Sequence, residues 1–224
     1  ILGTIADACN LGWDKIELGQ KTLVLEQLLT TGGGWQDQFG GLLHGVKLIE
    51  TGPGFDQTPA MKWLPDHLFH QTGLKSRMMV YYTGITRVAK NILAEIVRGM
   101  FLNESQVLGI LKDMQYHVLE TFESIQRGNY EDLGSVLEES WRLNQRLDEG
   151  TNPPEVQKIL DKINPYLSGK KLAGAGGGGF MFMIARDEDA AQKVKEILTK
   201  NSPNSRARFV DFDLSDSGLL ITRS

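Results

Sequence analysis

Six residues, Gly174-Ala175-Gly176-Gly177-Gly178-Gly179, constrain this chain more than any other segment. All but Ala175 lack a side chain, so the backbone there can take positive φ values that other residues avoid. Successive N–H groups in such a stretch can converge into a concavity that suits an anion. The apolar run Phe180-Met181-Phe182-Met183-Ile184-Ala185 that follows reads as a buried strand. Either the loop cradles a phosphate or it lets two segments approach closely, and the residues alone leave both open. Gly174, Gly176 and Gly179 satisfy G-x-G-x-x-G, but a dinucleotide site needs a strand before that motif and a helix directly after it. Here the loop opens onto a strand, and the helix signal begins only at Asp187-Glu188-Asp189. There is also no G-x-x-x-x-G-K-[ST] segment. Rossmann and Walker sites are both excluded.

A second glycine cluster, Thr30-Thr31-Gly32-Gly33-Gly34-Trp35-Gln36-Asp37-Gln38-Phe39-Gly40-Gly41, sets a carboxylate between two amides and beside an indole. A carboxylate held on a constrained backbone can accept a proton from a substrate hydroxyl, with Gln36 and Gln38 as neutral partners. The plainer alternative is a glycine-rich turn whose Asp caps the next helix. Two such clusters in one chain favour a site.

Together these residues resemble the GHMP small-molecule kinases, which pair a Gly-Gly-x-x-Asp-Gln segment with a later Lys-Leu-x-Gly-Ala-Gly-Gly-Gly-Gly loop. Within that family, Trp35 ahead of Gln36-Asp37-Gln38 is most like the L-fucose kinases. Tyr81-Tyr82-Thr83-Gly84-Ile85-Thr86-Arg87 and Arg206-Ala207-Arg208-Phe209-Val210 fit the same pattern, and the resemblance runs along essentially the whole chain. Two family motifs are missing from these residues, the N-terminal sugar motif and the Pro-x-x-x-Gly-Leu-Ser-Ser-Ser-like ATP loop. Ile1 to Ala6 resembles the helix that follows that loop. The resemblance therefore implies the C-terminal portion of a longer kinase, which in bacterial relatives is often fused behind a guanylyltransferase.

The remaining composition narrows the class. A chain of 224 residues with 41% hydrophobic content can bury a substantial core. A net charge of −4 and the lack of a basic stripe argue against nucleic acid as a partner. The single cysteine, Cys9, excludes an intrachain disulfide framework and fits a reducing compartment. No apolar run approaches the ~20 residues needed to span a bilayer. A cytoplasmic protein without a membrane partner is expected. The sequon Asn103-Glu104-Ser105 reads as chance in that setting.

The patterning predicts helices over residues 1–11 and 14–29 and short strands over 46–50 and 60–64, joined at Thr51-Gly52-Pro53-Gly54. Arg77 to Tyr82 reads as a stronger strand. Three apolar stripes at three- and four-residue spacing follow: Ile85 to Met100, Val107 to Ile125, and Tyr130-Leu133-Leu137-Trp141-Asn144. Asn152-Pro153-Pro154 starts another helix reaching about Leu167. After the glycine loop and its strand come a helix over 188–200 and two closing strands, 206–214 and 218–222. The fold class expected is α+β, an antiparallel sheet covered by helices on one face. The resemblance makes this a GHMP kinase C-terminal domain over 73–224, preceded over 1–72 by the end of the N-terminal kinase domain.

Residue roles follow from the resemblance. Asp37 is implied as the catalytic carboxylate. Gly34, Trp35, Gln38, Tyr82 and Arg87 are implied to shape the sugar site, and Gly174, Ala175, Gly176, Gly177, Gly178 and Gly179 to support the nucleotide phosphates. Glu26 is implied to bind Mg²⁺, a hard ion that prefers carboxylate oxygens. For Glu26 an ordinary surface residue remains the alternative, and for Arg87 a plain ion pair. His67 and His70 stand three apart beside Asp66, but no further Cys/His cluster completes a zinc set. His44 and His117 are isolated. Structural or solvent-facing roles are expected for all four. The expected activity is ATP- and Mg²⁺-dependent phosphorylation of the anomeric hydroxyl of L-fucose. Heptose 7-phosphate kinase and galactokinase-like readings are alternatives, as is a non-catalytic sugar-binding or structural domain.

Overall fold

A computed structural model describes residues 1–29, 34–54, 58–65, 69, 73–85 and 89–223, with the side chains of 89–91 left aside. The chain forms two compact units, one of residues 1–66 with 213–224 and one of residues 67–212.

The first unit holds α1 (Leu2–Ala8), α2 (Lys15–Leu28), α3 (Gln36–Leu42), β1 (Lys47–Glu50) and β2 (Ala60–Trp63). Asp14 starts α2 with a capping box: its carboxylate accepts from the amides of Ile16 and Glu17, and Glu17 reaches back to the Asp14 amide. Strands β1 and β2 pair antiparallel, Lys47 opposite Trp63 and Glu50 opposite Ala60. Ala6, Leu18, Phe39, Leu42 and Leu64 are buried in this unit. The C-terminal tail returns here. Leu219 N–H donates to Leu42 O at 3.1 Å, Gly45 N–H to Ser215 O at 2.9 Å, and Lys15 Nζ to Ser217 O at 2.6 Å. Arg223 forms a two-pronged ion pair with Asp7, which holds that carboxyl below the usual range. The strand expected over 218–222 is absent. After the positive-φ turn at Gly218, Leu219 makes one backbone bond to the end of α3 and no ladder follows.

The second unit contains α4 (Leu74–Arg77), β3 (Met78–Tyr82), α5 (Ala89–Phe101), α6 (Ser105–Gln126), α7 (Leu133–Leu147), α8 (Pro154–Ile163), β4 (Leu167–Leu172), β5 (Phe180–Ala185), α9 (Glu188–Lys200) and β6 (Arg208–Val210). Its sheet runs β4-β5-β3-β6 with every neighbour antiparallel. Leu172 sits opposite Met181, Met79 opposite Met183, and Tyr82 between Phe180 and Arg208.

Alternation sorts the side chains of this sheet. Met79, Tyr81, Met181, Met183 and Ala185 join Trp141 of α7, Val156, Ile159, Leu160 and Ile163 of α8, and Val194 and Leu198 of α9 in one core. Each fully buried aliphatic side chain there contributes about 1.5–3 kcal/mol relative to exposure. On the opposite face Met78, Phe182 and Ile184 meet α6 and α7 around an apolar cavity of about 290 Å³. Helices therefore lie against both faces, where one covered face was expected.

Pro154 opens α8 at its first turn, and Asp187 caps α9 by accepting from the Ala190 amide at 2.7 Å. Helix α8 ends at Ile163, short of the expected Leu167, because Pro165 cannot supply the next helical N–H. A 3₁₀ turn over Asn164–Tyr166 leads into β4. Only Arg208–Val210 of the expected strand 206–214 pairs with β3. Among the described residues no helix is long and apolar enough to cross a membrane.

Candidate functional site

In the first unit, Phe39 decides how α3 lies on α2. Its ring is fully buried and occupies the space a side chain at Gly19 would need, since a Cβ there would stand 2.5 Å from the ring. This seating brings Gln38 to Glu26, and Gln38 Nε2 donates to Glu26 Oε2. Glu26 is half-buried, while Gln38 is only 7% exposed and its Oε1 is buried without a partner among the described residues.

Asp37 has a different setting. It lies in the first turn of α3, is exposed, and its carboxylate makes no hydrogen bond or ion pair among the described residues. The N-cap is Trp35, half-buried and without a side-chain cap bond, so Asp37 is not spent on capping the helix. The turn's dipole still favours a negative charge there. Gly34 is exposed with open space around it. Gly32 and Gly33 lie outside the described residues.

In the second unit, the glycine loop joins β4 to β5 and is pinned from three sides. The carbonyl of Gly179 accepts from both the amide and the hydroxyl of Thr83, each at 2.9 Å. Gly179 N–H donates to Ile85 O at 2.8 Å and Gly177 N–H to Thr151 O at 2.7 Å. Asn144 Nδ2 donates to Gly174 O at 3.3 Å, and the Thr151 hydroxyl to Ala175 O at 3.1 Å. Gly176 and Gly178 take φ of 91° and 146°. A Cβ at Gly176 would stand 2.6 Å from the Thr151 carbonyl oxygen, and one at Gly178 would run into the carbonyl of Ile85. Of the two readings the residues left open, the close approach of segments is what these contacts display, on the positive-φ backbone that glycine permits.

Tyr82, at the end of β3, has its ring centroid 5.1 Å from that of Phe180. The Arg208 guanidinium stands 5.2 Å over the same ring. Phe180 is 45% exposed although it directly follows the loop. Arg206 ties the neighbouring turn down by donating to Gly84 O at 2.8 Å, and Asn204 donates to Thr83 O at 2.9 Å. Arg87, His67 and His70 lie outside the described residues. His44 stacks on Trp63 and His117 contacts Val136 O at 2.9 Å. No group of three or more potential metal ligands occurs among the described residues.

The structure thus gathers Glu26, Trp35, Asp37 and Gln38 in one unit, and Tyr82 with the glycine loop in the other. Sequence reasoning missed Asn144 and Thr151, which hold the loop, and Phe180 and Arg208, which flank Tyr82. One signal was available. Asn144 ends an otherwise apolar helical stripe, and a polar residue there needs a partner.

Comparison with known proteins gives a consistent picture. Residues 121–204 match the family model described as GHMP kinases C terminal. The chain is 55% identical over all 224 residues to an L-fucokinase/L-fucose-1-P guanylyltransferase of Bacteroides fragilis, spanning 24% of that protein. It is 32% identical over 83% of its length to a bifunctional fucokinase/GDP-fucose pyrophosphorylase of Arabidopsis thaliana, spanning 18% of that protein. The chain therefore covers a quarter or less of the length of these relatives. In three dimensions it superposes on a Lactococcus lactis galactokinase solved with galactose, with a TM-score of 0.66 and 15% identity, over 96% of this chain and 63% of the other. At that identity the likeness shows the fold.

Proposed function

We propose that this chain, whose residues 121–204 match the family model described as GHMP kinases C terminal, is the C-terminal portion of an ATP-dependent kinase that phosphorylates the anomeric hydroxyl of L-fucose to give fucose 1-phosphate. The observation that carries this reading is the identity, along the whole chain, to the Bacteroides protein named for fucokinase activity. The unit with Asp37 then belongs to the remainder of the N-terminal kinase domain, and the setting is cytoplasmic.

Asp37 orients the sugar O1 and accepts its proton as that oxygen bonds to the γ-phosphorus and the bond to ADP breaks. Phosphoryl transfer rests mainly on positioning and charge neutralisation, so an ordinary carboxylate suffices. That the Asp37 carboxylate is exposed and unspent on capping supports the role. Trp35, Tyr82, Gly34 and Arg87 shape the sugar site. Gln38 contributes by steadying Glu26, to which its amide is turned. Mg²⁺ would neutralise charge on the ATP phosphates. Glu26 fits as one carboxylate ligand, since Mg²⁺ needs only one or two carboxylates beside phosphate and water. The glycine loop supports the phosphates.

The test is coupled ADP release by the full-length protein with fucose, galactose and heptose 7-phosphate. Fucose-selective turnover is expected, and Asp37→Asn should lower kcat by about 10²–10⁴-fold. Turnover on heptose 7-phosphate alone would replace fucose as the substrate. Survival of full turnover in Asp37→Asn would remove Asp37 from the mechanism.

A further inference from the structure

We infer that Asn144 and Thr151 are positioning residues that turn the amides of Ala175 and Gly176 outward as a phosphoryl-binding pair; this rests on reading the loop as the phosphate-side element of a kinase. A trans peptide plane carries its C=O and the following N–H on opposite edges, and no cis peptide occurs among the described residues. Whatever draws a carbonyl inward therefore sends the next N–H outward. Asn144 Nδ2 holds the Gly174 carbonyl, so the Ala175 N–H points away from α7. The Thr151 hydroxyl reaches the Ala175 carbonyl at 3.1 Å, nearer than its other acceptor, Asn144 O at 3.3 Å, so the Gly176 N–H points away from the turn over Glu149–Thr151. Neither N–H donates to another group among the described residues, whereas those of Gly177 and Gly179 are bound inward to Thr151 and Ile85.

Two of the loop's six amides thus hold it down, and two others in succession, those of Ala175 and Gly176, follow carbonyls held by side chains and face out. Consecutive N–H groups on a glycine-rich backbone suit the oxygens of a tetrahedral anion. The anchors are built for permanence. Asn144 is 8% exposed and Thr151 1%, so water does not compete for their donors. Asn144 Oδ1 is buried without a partner among the described residues, a cost that a leucine in the same apolar stripe would avoid. Holding the Gly174 carbonyl accounts for an amide side chain at this position. The γ-phosphate of ATP and the phosphate of the sugar product both offer the required oxygens.

The test uses the full-length protein with ATP, fucose and fucose 1-phosphate. Thr151→Val keeps the side-chain shape and removes the donor. The KM for ATP or the inhibition constant of fucose 1-phosphate should rise about tenfold while the KM for fucose stays within about twofold. Thr151→Ser keeps the hydroxyl and should return both constants to within about twofold of wild type. Asn144→Leu should behave like Thr151→Val and replaces it should melting curves show that the valine variant folds poorly. A rise confined to ATP assigns the amides to the nucleotide, and one confined to fucose 1-phosphate assigns them to the product; both support the inference. Unchanged constants for both ligands in a folded variant overturn it, as does an equal rise in the KM for fucose. If the wild-type protein turned over no sugar, the fucokinase reading would fall, while ATP binding measured by calorimetry on the same variants would still decide the role of the two anchors.

Discussion

Asp37 and Gln38 are sequence neighbours with opposite surroundings, because α3 turns one to solvent and the other onto Glu26. The anchor of that arrangement is Phe39. Phe39→Ala should cost about 3–5 kcal/mol of stability, read from urea unfolding, and a loss below 1 kcal/mol would show that the α2–α3 seating rests on something else. Lys171 shows a different effect of burial. It lies on β4 opposite Phe182, and desolvation lowers its pKa from 10.5 to about 8. Between those values the unfolded chain binds more protons than the folded one, so this group makes stability rise with pH. Below about 8 both states are charged and the penalty is complete. Lys171→Met should therefore stabilise the protein by about 2 kcal/mol near neutrality. Its advantage should shrink through the window from 8 to 10.5. Melting curves at neutral and alkaline pH check this, and an advantage that does not change with pH would exclude desolvation as its source.

At the scale of elements, legibility followed how local each cause was. The box Asp14–Glu17, the apolar stripes of α6 and α7 and the run Phe180–Ala185 carry their own signals, and the structure places helices and a strand there. Strand β4 does not. Leu167-Ser168-Gly169-Lys170-Lys171-Leu172 has little intrinsic β preference, and its conformation comes from pairing with β5. Gly169 reads as part of a loop in isolation. In the fold it is where the α7 backbone at Gly134 comes so close that a Cβ would meet the Gly134 carbonyl. Gly169→Ala should therefore separate α7 from β4 and cost about 1–3 kcal/mol, measured by denaturant midpoint. A neutral effect would mean that the helix shifts freely. For the candidate site, the glycine loop and the Asp37 segment were visible because glycine and carboxylate are distinctive residue types. The side chains that hold the loop were hidden because Asn144 and Thr151 lie far from it in sequence and act only once α7 and the loop are packed.

At the scale of the whole molecule, the chain leaves its first unit at about residue 66 and comes back to it at 213. Deleting 213–224 removes the bonds to Leu42, Gly45, Lys15 and Asp7 together. Hydrogen exchange on that deletion should show lost protection in α1–α3 and retained protection in the sheet β4-β5-β3-β6. Equal loss in both would mean that the two units unfold as one. The same return sets a schedule for synthesis. At ~5–20 residues per second the ribosome needs roughly 7–30 s to make the stretch between the two parts of the first unit. Throughout that interval the segment bearing Asp37 waits for its closing strap, and at its end the intervening unit has all of its own sequence while the first unit still lacks part of its own. A nascent chain with this order completes the unit of residues 67–212 before the unit holding Asp37, and it is the latter that needs shelter on the way.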